Sequence, residues 1–224
     1  MTATDLPRDR DVWRIAAPMI LSNISVPLLG LVDTGVVGHL ESPVYLGAVA
    51  IGGTIFSFLY TGVIVLRMGT TGIAAQRFGA DDFDGLRVSL GQALVVAQII
   101  AFAVILLQWP VGQAAMKLLG AEGALREHAL EYFSIRVWSA PGTLANFVMV
   151  GWFLGLQNAR VPLLIFLTIN LTNIALDLLF VLVLGMKVDG VALASVIAEY
   201  AGLAVALFYA ARELRRRSGR WPMD

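Results

Sequence analysis

Long apolar segments recur along the chain, separated by short stretches that contain charged residues, glycine or proline. Each segment is about as long as the 17–25 residues that a helix needs to cross a bilayer. The pattern predicts six transmembrane helices, with approximate bounds of 14–39, 46–70, 88–109, 127–153, 161–184 and 189–211. We therefore expect an all-α integral membrane protein whose six helices form one bundle.

The fourth predicted helix carries two features that interrupt its apolar pattern. Arg136 falls within it, and Pro141-Gly142 follows a few residues later. Both features are tolerated in a span that packs against neighbouring helices or lines a cavity. We expect one of those two environments for residues 127–153.

Composition agrees with a membrane location. Hydrophobic residues make up 58% of the chain and charged residues 14%, whereas soluble domains are about 45–50% apolar and about 25% charged. The formal net charge is zero and cysteine is absent, which argues against a nucleic-acid partner and excludes a disulfide framework. No nucleophile elbow, P-loop, dinucleotide-binding glycine motif or His/Cys cluster occurs, so nothing in the sequence favours an enzyme or a bound cofactor.

Lysine and arginine predict the orientation of the spans. With both termini placed in the cytoplasm, that side holds eleven of these residues, the outer loops hold three, and two fall within spans. This is a strong positive-inside bias. We therefore predict a cytoplasmic N-terminal segment, 1–13, a six-helix region, 14–211, and a cytoplasmic arginine-rich tail, 212–224.

Charged residues within the spans are the main candidates for function. Besides Arg136, four such residues are selected: Asp33, Arg67, Asp177 and Glu199. An ionised Asp or Arg at a helix centre costs roughly 2.5–3.5 kcal/mol on insertion scales, and such residues normally face the bundle interior or a water-filled cavity. Arg67 lies near a span end, so snorkelling is an alternative to a role in gating or pairing with an Asp. Glu199 is expected to face the bundle.

The fifth span places three polar residues on one helix face. Asn170, Asn173 and Asp177 follow the spacing i, i+3 and i+7. Two amides and a carboxylate can supply oxygens to a hard cation such as Na⁺, or the carboxylate can carry a proton. The alternative for the asparagines is structural hydrogen bonding between helices.

The first span combines its aspartate with residues that bend helices. Pro18 and Pro27 precede Asp33, and three glycines surround it. Proline removes a backbone hydrogen bond and kinks a helix. A flexible helix that carries a carboxylate is suited to conformational coupling, although tight packing would use the same residues.

The chain resembles the multidrug and toxic compound extrusion (MATE) family, and within it the DNA-damage-inducible F (DinF-type) branch. The resemblance rests on motifs in family order: PMILSN and PLLGLVDTGVVGHL in the first span, LRMGTTGIAAQRFGADD after the second, GWFLGLQNARVPLL between the fourth and fifth, and INLTNIALDLLFVLVLG with GVALASVIAEYAG at the end.

The resemblance implies a secondary antiporter that exports cationic or amphipathic compounds in exchange for H⁺ or Na⁺. It implies that Asp33, Asn173 and Asp177 form the coupling site. Ser195 stands where the branch often has threonine, which keeps the hydroxyl, and Glu199 stands where glutamine is common. The implied location is a bacterial inner membrane.

Family members have twelve helices in two lobes, so the six predicted spans correspond to the N-terminal lobe, and residues 212–224 to the start of the link to a missing second lobe. A half-size transporter acting as a homodimer is an alternative. Two further alternatives are a flippase for lipid or oligosaccharide-lipid, which the few arginines within spans argue against, and an isolated lobe that does not transport.

Overall fold

The structure is a computed structural model that describes residues 35–36, 38 and 42–216. Throughout this described part the regular structure is helical, with no strand. The first predicted span, 14–39, falls almost entirely outside the described residues, and Asp33, Pro18 and Pro27 lie outside them.

The described helices follow one another through short connections. Their bounds are Pro43–Thr61 (α1), Ile64–Gly79 (α2), Phe83–Leu106 (α3), Gln108–Leu118 (α4), Gly123–Arg136 (α5), Ala140–Gly155 (α6), Arg160–Asp177 (α7) and Val188–Arg216 (α8). A 3₁₀ turn, Val137–Ser139, joins α5 to α6, and a π-helical turn, Leu178–Val183, continues α7.

Five continuous helical segments in the described part are long and apolar enough to cross a membrane. They are Pro43–Gly79, Phe83–Leu106, Gly123–Gly155, Arg160–Val183 and Val188–Arg216. The predictions for the second to sixth spans are thereby confirmed. The largest difference is at the end of the second span, which continues to Gly79 instead of ending near residue 70.

Two of the spans contain a joint between helices. The second span is interrupted by a turn at Gly62-Val63, where both backbone N–H groups bond to the carbonyl of Tyr60. In the fourth span, Pro141 is the second residue of α6. A proline costs no hydrogen bond in the first turn of a helix, so the span continues through this position as a new helix.

The α4 helix was not predicted by the apolar pattern. It spans only Gln108–Leu118, too short to cross a bilayer, and it lies in the predicted outer loop. Trp109 and Leu118 are mostly exposed on its surface. A short helix with exposed apolar side chains of this kind is typical of a segment that lies along the membrane surface.

The fourth span occupies the centre of the bundle. In its most apolar stretch 78% of the residues are buried, against 17% in the second and third spans. Its α6 helix contacts α2, α3, α7 and α8. Trp152 and Phe153 are buried within it and pack edge to face, with ring centroids 5.0 Å apart. The expectation that this span packs against its neighbours is confirmed.

Two glycines allow α6 to approach α2 very closely. A Cβ atom added to Gly151 would stand 2.5 Å from the backbone oxygen of Arg67, and one added to Gly155 would stand 2.8 Å from that of Thr71. The glycines are four residues apart, a spacing that brings helix backbones together in membranes. The contact is between backbones, so a flexible side chain cannot relieve an added methyl group.

The loop between α2 and α3 is held by one carboxylate. Asp82 accepts a hydrogen bond from the Gly85 N–H at 2.8 Å, which caps α3, and forms an ion pair with Arg77 at 2.5 Å. These two donors, the Gly85 N–H first, hold the pKa of the Asp82 carboxyl below its usual range.

We predict that Gly155→Ala destabilises the bundle, because the new methyl group meets the α2 backbone. Overpacking of this kind costs about 1–3 kcal/mol. The melting temperature of the detergent-purified protein should fall. Gly69→Ala is the matched control, because a Cβ there meets no described atom within 4 Å. Equal melting temperatures for the two variants would contradict the close α2–α6 contact.

We predict that Asp82 stabilises the fold in a pH-dependent way. The pKa of Asp82 is lower in the folded state than in the unfolded state, where it is about 3.9. The stabilisation is therefore complete when the pH is above the unfolded-state pKa, and it is lost as the pH falls through the folded-state pKa. The melting-temperature difference between wild type and Asp82→Asn should therefore shrink in that acidic range. A melting-temperature difference that stays constant across this range would contradict the role of Asp82.

Candidate cation site

The polar stripe of the fifth span faces the protein interior. Asn170 is 7% exposed, Asn173 2% and Asp177 0%. The Nδ2 atoms of both asparagines are buried and have no hydrogen-bond partner among the described residues. Buried amides without partners are uncommon in folded proteins, so these groups are placed where a ligand or a further segment of chain would complete their bonding.

The helix changes type immediately after Asp177. The α-helical part of α7 ends at Asp177 and the π-helical turn begins at Leu178. Single π-helical turns inside α-helices occur frequently at functional sites, where the extra residue alters the direction of nearby groups. The sequence offered no signal for this turn, because Leu178–Val183 is uniformly apolar.

Ser195 lies at the level of Asp177 along the bundle. On the antiparallel pair α7 and α8, the Cα of Gly202 faces Ile169, and that of Gly190 faces Phe180. We count residues along both helices from the first contact to the second. The position on α8 that faces Asp177 is then within about two residues of Ser195, or roughly 3 Å along the axis. Ser195 is 5% exposed, so both side chains belong to the interior.

Arg136 donates a hydrogen bond to the Ser195 hydroxyl. The Nη1–Oγ distance is 2.6 Å, and Nη1 also lies 2.8 Å from the Tyr132 hydroxyl. The guanidinium carbon stands 5.4 Å from the centre of the Phe56 ring and 5.7 Å from that of Tyr132. The charge of Arg136 is therefore placed among hydroxyls and aromatic faces, both of which stabilise a cation.

Glu199 is held by Asn146 of α6. The Asn146 amide donates to the Glu199 carboxylate at 2.9 Å and to its backbone carbonyl at 2.9 Å. The α6 and α8 helices are in contact here, since a Cβ at Gly142 would stand 3.5 Å from the Glu199 backbone, an ordinary packing distance. Arg136 attracts the same carboxylate electrostatically. Glu199 thus faces the bundle, as expected.

The sequence analysis did not select Asn146 or Tyr60, which also belong to this polar region. Asn146 is a single amide in the apolar stretch LANFVMV, and the reasoning applied to the fifth-span asparagines would have selected it. Tyr60 lies close to Ser139 and Thr143, but tyrosine is common in membrane spans and carries no comparable signal. Arg67 belongs to the α2–α6 contact, where its carbonyl faces Gly151.

The donor set suits a hard monovalent cation or a proton. Carboxylate, amide and hydroxyl oxygens are the ligands that hard cations prefer. Among the described residues no three His, Cys, Asp or Glu side chains cluster as a transition-metal site requires. Asp33, the remaining predicted ligand, lies outside the described part of the chain.

Comparisons with known proteins agree on one family. The MatE family model matches residues 18–179. The chain is 47% identical over 209 residues to DNA damage-inducible protein F of Escherichia coli strain K12, which covers 93% of this chain and 46% of that protein. It is 28% identical over 174 residues to multidrug resistance protein MdtK of Cronobacter sakazakii, covering 77% and 37%.

The fold is also that of a solved structure. A crystal structure of MATE in the bent conformation superposes with a TM-score of 0.82 at 25% identity, covering 89% of this chain and 44% of that chain. The chain thus spans about half of the relatives' length or less, and the prediction of an all-helical half of a transporter is confirmed.

We predict that Asn146 and Glu199 are energetically coupled. In a double-mutant cycle of Asn146→Ala and Glu199→Ala, the coupling energy should fall between about 0.5 and 3 kcal/mol, because each single change leaves a polar group buried. Unfolding of the purified protein supplies the four free energies. Asn146→Ala combined with Ser134→Ala, on the exposed side of α5, should be additive. An additive Asn146–Glu199 cycle would show that the contact contributes nothing.

Proposed function

This chain belongs to the MatE family of membrane transporters, and we propose that it forms the cation-coupled lobe of an antiporter that exports cationic or amphipathic compounds. The single observation that carries the proposal is the buried face of α7, where a fully buried carboxylate lies level with a buried hydroxyl on α8 and two buried amides precede it on the same face. The inward flow of H⁺ or Na⁺ supplies the energy.

Asp177 is the central residue of the proposed site. A carboxylate in a membrane span costs several kcal/mol unless it faces a partner or an ion pathway, and Asp177 is completely buried. Asn173 lies one turn before it on the same face, and Ser195 lies at its level on α8. These groups can hold a cation or a proton without exposing it to lipid.

Coupling requires that the ion bind one conformation of the lobe more tightly than the other. In the proposed mechanism, an ion that enters from outside binds between the α7 face and Asp33. The bend of the first helix at Pro18 and Pro27 then changes and releases the exported compound. The π-helical turn after Asp177 is a second point at which the α7 helix can adjust.

The proposed transporter needs a second lobe. Residues 14–211 form the N-terminal lobe, segment 1–13 and tail 212–224 lie on the cytoplasmic side, and the tail begins the link to six further helices. Support comes from the distribution of arginine and lysine and from the relatives, about half or less of whose length this chain covers. The location is a bacterial inner membrane, where lipid covers the exposed apolar residues.

Export of small molecules is supported by the names of relatives. The Cronobacter protein is called a multidrug resistance protein, which supports small molecules as the exported compounds. The choice of compound depends on the cavity between the two lobes.

We predict that Asp177→Asn abolishes coupled export, lowering ion-driven dye efflux at least tenfold, because the amide cannot change charge with the ion. The measurement uses proteoliposomes containing the lobe joined to its second lobe. Asp84→Asn, an exposed residue in the first turn of α3, is the control and should transport normally. Undiminished efflux in Asp177→Asn would refute the proposed site.

A further inference from the structure

We infer that Arg136 is an ion-selectivity residue: a positive charge fixed in the protein that excludes Na⁺ from the Ser195 side of the coupling site. The inference rests on the proposed function and narrows it, because exclusion of Na⁺ leaves H⁺ as the coupling ion. The side chains involved belong to five helices, α1, α5, α6, α7 and α8.

The position of Arg136 is determined by several contacts at once. Its Nη1 atom donates to the Ser195 and Tyr132 hydroxyls, and its planar group lies over the rings of Phe56 and Tyr132. An arginine is always charged in proteins. Hydroxyl acceptors and aromatic ring faces therefore keep a full positive charge at the Ser195 oxygen.

A sodium ion at Ser195 would have to share this oxygen with the guanidinium. Metal–oxygen distances are about 2.3–2.6 Å for Ca²⁺, which is of similar size. Because Nη1 is already 2.6 Å from Oγ, the two positive charges would stand within about 5 Å of each other. In the low-dielectric interior of a bundle their repulsion is large.

Ser195 is also the hydroxyl that completes the proposed coordination shell. It lies level with Asp177, whereas the asparagines lie further along α7, one and two turns before the carboxylate. Without the Ser195 oxygen, the described part of the site offers Na⁺ one carboxylate and two amides. A proton binds to a single carboxylate oxygen and needs no oxygen from Ser195, so the loss of this ligand removes a Na⁺ site without removing a proton site.

Glu199 explains why the arginine is retained in the span. The carboxylate attracts the guanidinium and is itself held by Asn146. A positive charge with a nearby negative partner and two hydroxyl acceptors can remain in the bundle. The Arg136 charge is therefore a permanent part of the site and does not enter or leave with the transported ion.

The test measures thermal unfolding of the purified 224-residue chain in nanodiscs, in NaCl, KCl or choline chloride at equal ionic strength. An ion that binds only the folded state raises the melting temperature; at ten times its dissociation constant it shifts the folding equilibrium about tenfold. We expect no Na⁺-specific increase for the wild type. Arg136→Gln, which keeps a hydrogen-bond donor and removes the charge, should gain a Na⁺-specific increase.

Two further variants assign the effect to the site. Ser195→Ala in the Arg136→Gln background should remove the gained Na⁺ response, because the hydroxyl ligand is lost. Arg67→Gln removes another arginine within a span, one whose backbone faces Gly151 and not Ser195, and should gain no response. These results together would support the inference.

Either of two results would overturn it. One is a Na⁺-specific increase in the wild type, which can be measured even if Arg136→Gln does not fold. The other is a folded Arg136→Gln protein that gains no Na⁺ response. If Na⁺ stabilises the wild type, the proposed antiport remains valid with Na⁺ as its coupling ion. If Asp177→Asn shows normal efflux, the proposed antiport is refuted, and the sodium measurement is not affected by that result.

Discussion

The close approach of α6 to α2 is the constraint on which the rest of the bundle depends. Gly151 and Gly155 let the two backbones meet at distances that no side chain permits. With α6 held there, the fourth span becomes the centre of the bundle, and α3, α7 and α8 pack around it. Close backbone packing replaces the hydrophobic effect as the source of association, because lipid is as apolar as the helices themselves.

The central position of the fourth span also explains its polar residues. A span surrounded by protein can carry Arg136 and Asn146, because neighbouring helices supply hydroxyls, ring faces and a carboxylate. The same residues facing lipid would cost several kcal/mol each. The polar interior is therefore a consequence of the packing, and it links α5 and α6 to the α8 residues Ser195 and Glu199.

Antiparallel packing of α7 and α8 brings two distant parts of the chain to one level. Asp177 and Ser195 are separated by the π-helical turn and a short loop, yet the pair of helices places them at about the same level along the axis. The carboxylate of the α7 polar face therefore lies at the level of the hydroxyl that Arg136 bonds to. One end of the proposed coupling site is consequently occupied by a charge of the protein itself.

The second to sixth membrane spans and the polar face of α7 could be predicted from the sequence, because apolar length and a 3.6-residue period are local properties of a helix. The family could be predicted as well, since the motifs occur in order. The contacts of Arg136 with Ser195 and of Asn146 with Glu199 could not be predicted, because the members of these pairs are 59 and 53 residues apart. The joint at Gly62-Val63 and the π-helical turn were equally unpredictable: each depends on how neighbouring helices pack, which the local pattern of apolar residues does not encode.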